Sequence, residues 1–325
     1  MSRIRTPGTR AGRGLAAGAL LLLAAAPLLL PTYWTLILTE VLIMGLLAMG
    51  FNLLMGFTGL LSFGHAGLFG VGAYAAALTL LHGPSSVWAA LGVATLASGA
   101  TAAGMGYFCV RRDEIYFAMI TLAFGMMLYT VAHNWIEVTG GSDGLPLAGL
   151  PALRLPGLQV SLFDPRAMYW FVLAAAALGA WGLRRVVRSP FGLLLTAIRE
   201  NKDRLAFVGA DVARIRLAAF VISGAVTGLA GALFCLFNGM ATPDFLHWSF
   251  SARPVLMTVL GGAGTFWGPA FGSAVFFLLE QLTTELTENW MFVLGALLLP
   301  VVIFFPQGIL GTFADRLARH REPRP

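Results

Sequence analysis

Charge is scarce in this chain and lysine nearly absent. Acidic and basic residues make up 11% of its 325 residues, against about a quarter in soluble domains. With 58% hydrophobic residues, the apolar surface must face lipid or other helices, which excludes a water-soluble fold. Lys202 is the single lysine and follows Asn201, so no G-x-x-x-x-G-K-[ST] loop exists and ATP hydrolysis by that route is excluded. Neither H-E-x-x-H nor C-x-x-C occurs, and histidines 65, 82, 133, 247 and 320 are scattered without metal-ligand spacing. The expectation is no catalytic residue, no metal and no cofactor on this chain. Two cysteines, Cys109 and Cys235, fall in apolar spans near opposite membrane faces, which suits packed core thiols rather than a disulfide. Intramembrane acids are few: Glu40 and Glu280 lie toward predicted outer ends. No proton or sodium relay crosses the midplane, which counts against an ion-coupled secondary carrier. Energy for any pumping must then come from a partner, or there is no pumping at all.

What is present is arginine in short loops. The formal charge of +6 is the pattern of positive-inside orientation, not of nucleic-acid binding. Arg3, Arg5, Arg10 and Arg13 precede an apolar run with no small-residue cleavage site, and Pro31-Thr32 leads straight into the next span. That reads as an uncleaved first helix with a cytoplasmic N-terminus. Candidate spans are 15–31, 33–55, 59–82, 87–110, 115–136, 168–187, 214–238 and 290–310. Counting crossings puts Arg111-Arg112 inside, 138–167 outside, Arg184 to Arg216 inside, and 239–250 outside. The tail with Arg316, Arg319, Arg321 and Arg324 must also be inside. Parity closes only if 251–283 dips in and returns, broken at the glycines and proline of 261–269. The predicted fold class is all-α, a polytopic membrane helix bundle of about eight spans plus a re-entrant broken pair. Residues 1–14 and 312–325 are expected as cytoplasmic tails around a transmembrane domain over 15–311, with a periplasmic loop at 138–167 and a cytoplasmic loop at 184–213.

Two kinds of segment stand out. Ser189 then Pro190 is a helix start, after which Phe191, Leu194, Leu195 and Ile198 share one face. Arg199 with Asp203 and Glu200 with Arg204 are spaced for i,i+4 ion pairs, each contributing about 0.2–0.5 kcal/mol. Such a helix either docks into a partner's groove or lies on lipid headgroups. Glycine-rich stretches at 56–76 and 261–269 form a pair of interrupted apolar segments, one in each half, the mark of inverted repeats around a central path. Asn52, Ser62, His65, Gly261, Gly262, Gly264 and Thr265 are the candidates to line it, although a membrane histidine commonly serves to bond a neighbouring helix instead.

The run from Asn52 to Gly67, the turn from Thr139 to Leu145, Ser189 to Gly192 with Ala197 to Asn201, and Leu260 to Thr265 with Gly268-Pro269 resemble branched-chain amino acid ABC transporter permeases of the LivM type. The resemblance covers about residues 35 to 311, in the family's order. It implies a second, LivH-type permease subunit, two cytoplasmic ABC ATPases carrying ATP and Mg, and a periplasmic solute-binding protein. It also implies that Ser189, Pro190, Phe191, Leu194, Leu195, Ile198, Arg199 and Glu200 belong to the segment that docks on an ATPase. The chain departs at Leu193 to Leu195, where relatives often carry an arginine after the glycine. Urea and short-chain amide permeases look similar and stand as the alternative for substrate.

Overall fold

A computed structural model describes residues 22–286 except 84–85, 113, 148, 150–152 and 156–157. It also describes residue 18 and short pieces at 292–293, 295–296, 300 and 308–312. Both expected tails, and most of the final span at 290–310, lie outside the described residues. So does the start of the span at 15–31, of which 22–29 is helical. The long helices are α1 (Thr32–Met55), α2 (His65–His82), α3 (Val87–Cys109) and α4 (Glu114–Asn134). After the short α5 (Ile136–Thr139) come α6 (Pro165–Val187), α7 (Pro190–Phe207), α8 (Val212–Asn238), α9 (Ala252–Gly261) and α10 (Gly268–Leu286). Among the described residues, six helices (α1 to α4, α6 and α8) are long and apolar enough to cross a membrane. The chain is therefore a multi-pass helical membrane protein.

Local chemistry sets the boundaries. Asp164 accepts from the amide of Arg166 and Pro165 takes the first turn, which starts α6. Arg184 and Arg185 close α6 at the end where the helix carries partial negative charge. Asp211 caps α8 through the amide of Arg214, and Gly239 ends it in the left-handed region at φ 70°.

α8 is the central post, packing on α1, α2 and α3, while α1 also meets α6, α9 and α10. Small residues allow these approaches: a Cβ on Gly72 of α2 would stand 2.3 Å from the Gly228 carbonyl oxygen of α8. Dispersion between closely fitted backbones is the driving term for helix association in lipid, where no hydrophobic gain is available. One core cluster, with Leu53, Leu54, Phe57, Cys109, Leu183, Leu195 and Phe220, fills the arginine-rich end. A second, with Ile43, Phe69, Val172, Leu233 and Phe276, and a third, with Ala73, Tyr74, Ala132, Cys235 and Leu246, fill other parts of the bundle. Cys109 and Cys235 are free, buried and in different clusters.

The span expected at 59–82 is corrected: its helix starts at His65, and 56–64 is irregular. Gly59 sits at φ 80°, which breaks the helical path. The freed groups find partners inside the protein. Leu60 N donates to Leu54 O at 3.1 Å, Phe63 N to Thr121 Oγ1 at 3.2 Å, and Phe63 O accepts from Ser251 Oγ at 2.6 Å. Non-helical backbone survives at such depth when it is satisfied this way. In the segment expected at 251–283, α9 and α10 pack on each other, and the chain breaks over 262–267 between them. The turn at 139–145 is pinned by a two-residue strand, β1 (Leu145–Pro146), which pairs antiparallel with Met240–Ala241.

Candidate functional site

The two interrupted segments, far apart in sequence, meet at the arginine-rich end of the bundle. Asn52, in the last turn of α1, donates from Nδ2 to Thr265 O at 2.9 Å. Its Oδ1 accepts from Gly264 N at 3.3 Å. One side chain thus reads both a carbonyl and an amide of the 262–267 break. Thr265 Oγ1 donates to Gly262 O at 2.9 Å, which folds the break on itself. Gly264 has φ 88°, a conformation that side chains rarely adopt. A Cβ there would lie 2.8 Å from Arg199 Nη1.

Arg199 comes from α7. It donates from Nη1 to Gly56 O, one residue beyond α1. Its stem passes Gly59, where an added Cβ would stand 3.3 Å from Arg199 Cγ. A carbonyl at a helix C-terminus lacks an intrahelical donor and carries partial negative charge, so a guanidinium suits it on both counts. The junction joins α1, α7 and the break through three side-chain bonds.

A second polar network lies deeper. His65 Nε2 is 2.9 Å from Ser223 Oγ and Nδ1 is 3.0 Å from Ser62 Oγ. Ser223 donates to Gly50 O at 2.6 Å, so it accepts from an Nε2–H, and Ser62 then donates to Nδ1. Both ring nitrogens are satisfied within a fully buried shell. Ser251 accepts from Ala66 N at 3.0 Å, capping α2 from a segment distant in sequence. Of the residues expected to line a path, Asn52, Ser62 and His65 are buried and bonded within the chain. Gly261 and Gly262 sit at the turn between α9 and α10.

α7 needs a correction. Leu195 and Ile198 are buried and Phe191 packs against the same core, so the apolar face meets this chain's own bundle. What α7 leaves exposed is Pro190, Leu193, Ala206 and Phe207 with the polar run Arg199, Glu200, Asn201, Asp203 and Arg204, Arg199 reaching the junction with its Nη1 while part of its side chain stays open. Ser189 does not cap through its hydroxyl, which donates backward to Val186 O at 2.7 Å. Asn201 breaks α7 with φ −163° and ψ 102°, taking the two expected i,i+4 ion pairs out of helical register. Asn201 Oδ1 accepts from Arg204 N at 2.9 Å and restarts the helix.

Two features were overlooked in the sequence, where no G-x-S-x-G spacing was expected. Arg253, in the first turn of α9, lies 3.7 Å from Glu280 of α10, so an acid placed at an outer end is partnered by a cation within the broken pair. An arginine two residues past Ser251, in an otherwise apolar segment, was the available signal. Residues Gly140 to Gly144 also satisfy the spacing G-x-S-x-G. Ser142 there sits exposed in a 3-10 turn with its hydroxyl on Asp143 at 3.2 Å, not on the strand-to-helix elbow that exposes a nucleophile.

A family model described as branched-chain amino acid transport system / permease component matches residues 33–302. The high-affinity branched-chain amino acid transport system permease protein LivM of Escherichia coli (strain K12) is 30% identical over 314 residues, 90% of this chain and 73% of that protein. LivM of Salmonella typhimurium is 30% identical over 286 residues, 82% of this chain and 67% of its own. The permease protein LivH of Escherichia coli (strain K12) is 25% identical over 284 residues, 82% of this chain and 90% of its own. No solved structure matches.

Proposed function

The chain belongs to the branched-chain amino acid transport permease family, and from that premise we propose that it is the membrane subunit of an ATP-driven importer for leucine, isoleucine and valine. In this reading it lies in the inner membrane with both termini and α7 on the cytoplasmic side. It pairs with a LivH-type subunit, receives substrate from a periplasmic binding protein, and takes its energy from two ATPases that bind ATP and Mg. The chain itself performs no hydrolysis. Loop 138–167 is then the periplasmic surface and 184–213 the coupling loop.

The observation that carries the reading is the placement of α7. Its buried face ties it to the bundle through Leu195 and Ile198, while Leu193 near its start and Arg199, Glu200, Arg204 and Phe207 toward its end stay exposed. A short helix anchored on one side and open on the other is the form a docking element needs. The exposed residues, rather than the whole set expected from sequence, are the ones that face an ATPase. The similarity to both LivM and LivH supports a pair of related membrane subunits.

Whole-cell uptake tests the substrate. Deletion of this gene should abolish high-affinity uptake of labelled leucine, and a plasmid copy should restore it. Competition by isoleucine and valine is expected; competition by urea or acetamide in their place would move the assignment to the amide-type permeases.

A further inference from the structure

We propose that Arg199 is the positioning residue that passes movement of α7 to the break at 262–267 between α9 and α10. The proposal rests on the reading that α7 docks an ATPase, and it goes further by naming the contact through which docking acts.

Three observations carry it. First, α7 is two pieces: residues before Asn201 are anchored by Leu195 and Ile198, and those after it end in the highly exposed Phe207 and Val208. Asn201, in extended backbone, is the joint. A force applied to the exposed piece therefore reaches the bundle through the last turn of the anchored piece, where Arg199 lies. Second, Arg199 donates to Gly56 O and borders Gly264, so one guanidinium touches both interrupted segments. Third, Asn52 clamps the same place from α1, holding Thr265 O and Gly264 N. Displacing Arg199 releases the end of α1 and removes the neighbour that packs on Gly264. The break has the composition of a moving part, with Gly262 at φ 115° and Gly264 at φ 88°. Half-helices separated by unwound backbone are what transporters rock to alternate access.

Arginine matters here for its shape. The guanidinium spreads donors in a plane, while lysine presents a compact point charge on a similar stem. Methionine keeps much of the stem beside Gly59 and removes the charge and donors.

The experiment uses the assembled transporter in proteoliposomes, with permease pair, ATPases and binding protein, and measures ATP hydrolysed per leucine imported. Arg199→Met should raise that ratio about tenfold, the loss expected from one charge-assisted hydrogen bond acting on the moving state. Arg199→Lys should recover part of the loss, and both variants should still co-purify with the ATPases. An unchanged ratio in Arg199→Met overturns the proposal, and so does loss of ATPase co-purification, which would make Arg199 a docking contact. If Arg199→Met does not assemble, Arg199→Lys decides, and a wild-type ratio in Lys overturns the proposal. Leu193→Asp separates the underlying reading, because it alters only the exposed face. Normal ATPase binding and uptake by Leu193→Asp would refute docking at α7, whatever Arg199 does.

Discussion

Replacing Asn52 with alanine removes the clamp between α1 and the 262–267 break without touching the fold elsewhere. Two bonds are lost, one at 2.9 Å to Thr265 O and a longer one at 3.3 Å from Gly264 N. Interhelical side-chain hydrogen bonds in membrane proteins contribute about 0.6 kcal/mol on average and about 1.7 at most. Asn52 is 1% exposed, so the backbone groups it leaves behind gain little water, and an unsatisfied buried group costs about 1–3 kcal/mol. The expected loss is about 2–3 kcal/mol. Thr265→Val is the control, because it removes only the local bond from Thr265 Oγ1 to Gly262 O and spares the carbonyl that Asn52 reads, so it should cost about 1 kcal/mol. The assay is equilibrium unfolding in mixed micelles by SDS titration, followed through tryptophan fluorescence. Trp267 adjoins the break, with Arg184 6.0 Å from its ring, and is one of eight tryptophans that contribute to the signal. An Asn52→Ala midpoint equal to wild type, or a Thr265→Val loss larger than that of Asn52→Ala, would refute the account of the junction.

Other outcomes follow from the same packing. Ser223→Ala should destabilise by about 1–2 kcal/mol in the same titration, since it leaves both His65 Nε2 and Gly50 O without their partner, whereas Ser249→Ala, on an exposed hydroxyl bonded only to His247, should cost less than about 0.5 kcal/mol. Gly72→Leu should prevent assembly of the α2–α8 crossing, read as loss of the monodisperse peak in detergent, because its Cβ alone would overlap the Gly228 backbone. Cys109 and Cys235, both fully buried, should resist maleimide in native membranes and react after SDS; rapid labelling of either in membranes contradicts the packing.

Membrane class, the apolar helices among the described residues and the glycine break between α9 and α10 were legible in the sequence because they rest on one-dimensional quantities. Apolar runs of span length, loop arginines and glycine punctuation all survive projection onto a chain. The 56–76 segment was read as interrupted, but where it breaks was not legible, because 56–64 is as apolar as a helix; Gly59 at positive φ with partners from Thr121 and Ser251 places the break before His65. The face of α7 was right as a face and wrong as a surface. Periodicity says that Phe191, Leu195 and Ile198 lie together, not whether a partner or the chain's own core covers them. The hydrogen bonds of the junction, Arg199 to Gly56 and Gly264 to Asn52, span 143 and 212 residues, so no local pattern carries it. The residues themselves were singled out, but their meeting is tertiary.

The central claim is that this chain moves substrate only when ATPase partners drive it. The direct measurement is uptake of labelled leucine into proteoliposomes holding the purified complex with binding protein, with and without internal ATP and with imposed proton and sodium gradients. The account predicts accumulation that requires ATP, disappears with a phosphate-loop lysine variant of the ATPase, and ignores both gradients. Accumulation driven by a gradient in vesicles that contain the permease and no ATPase would contradict it.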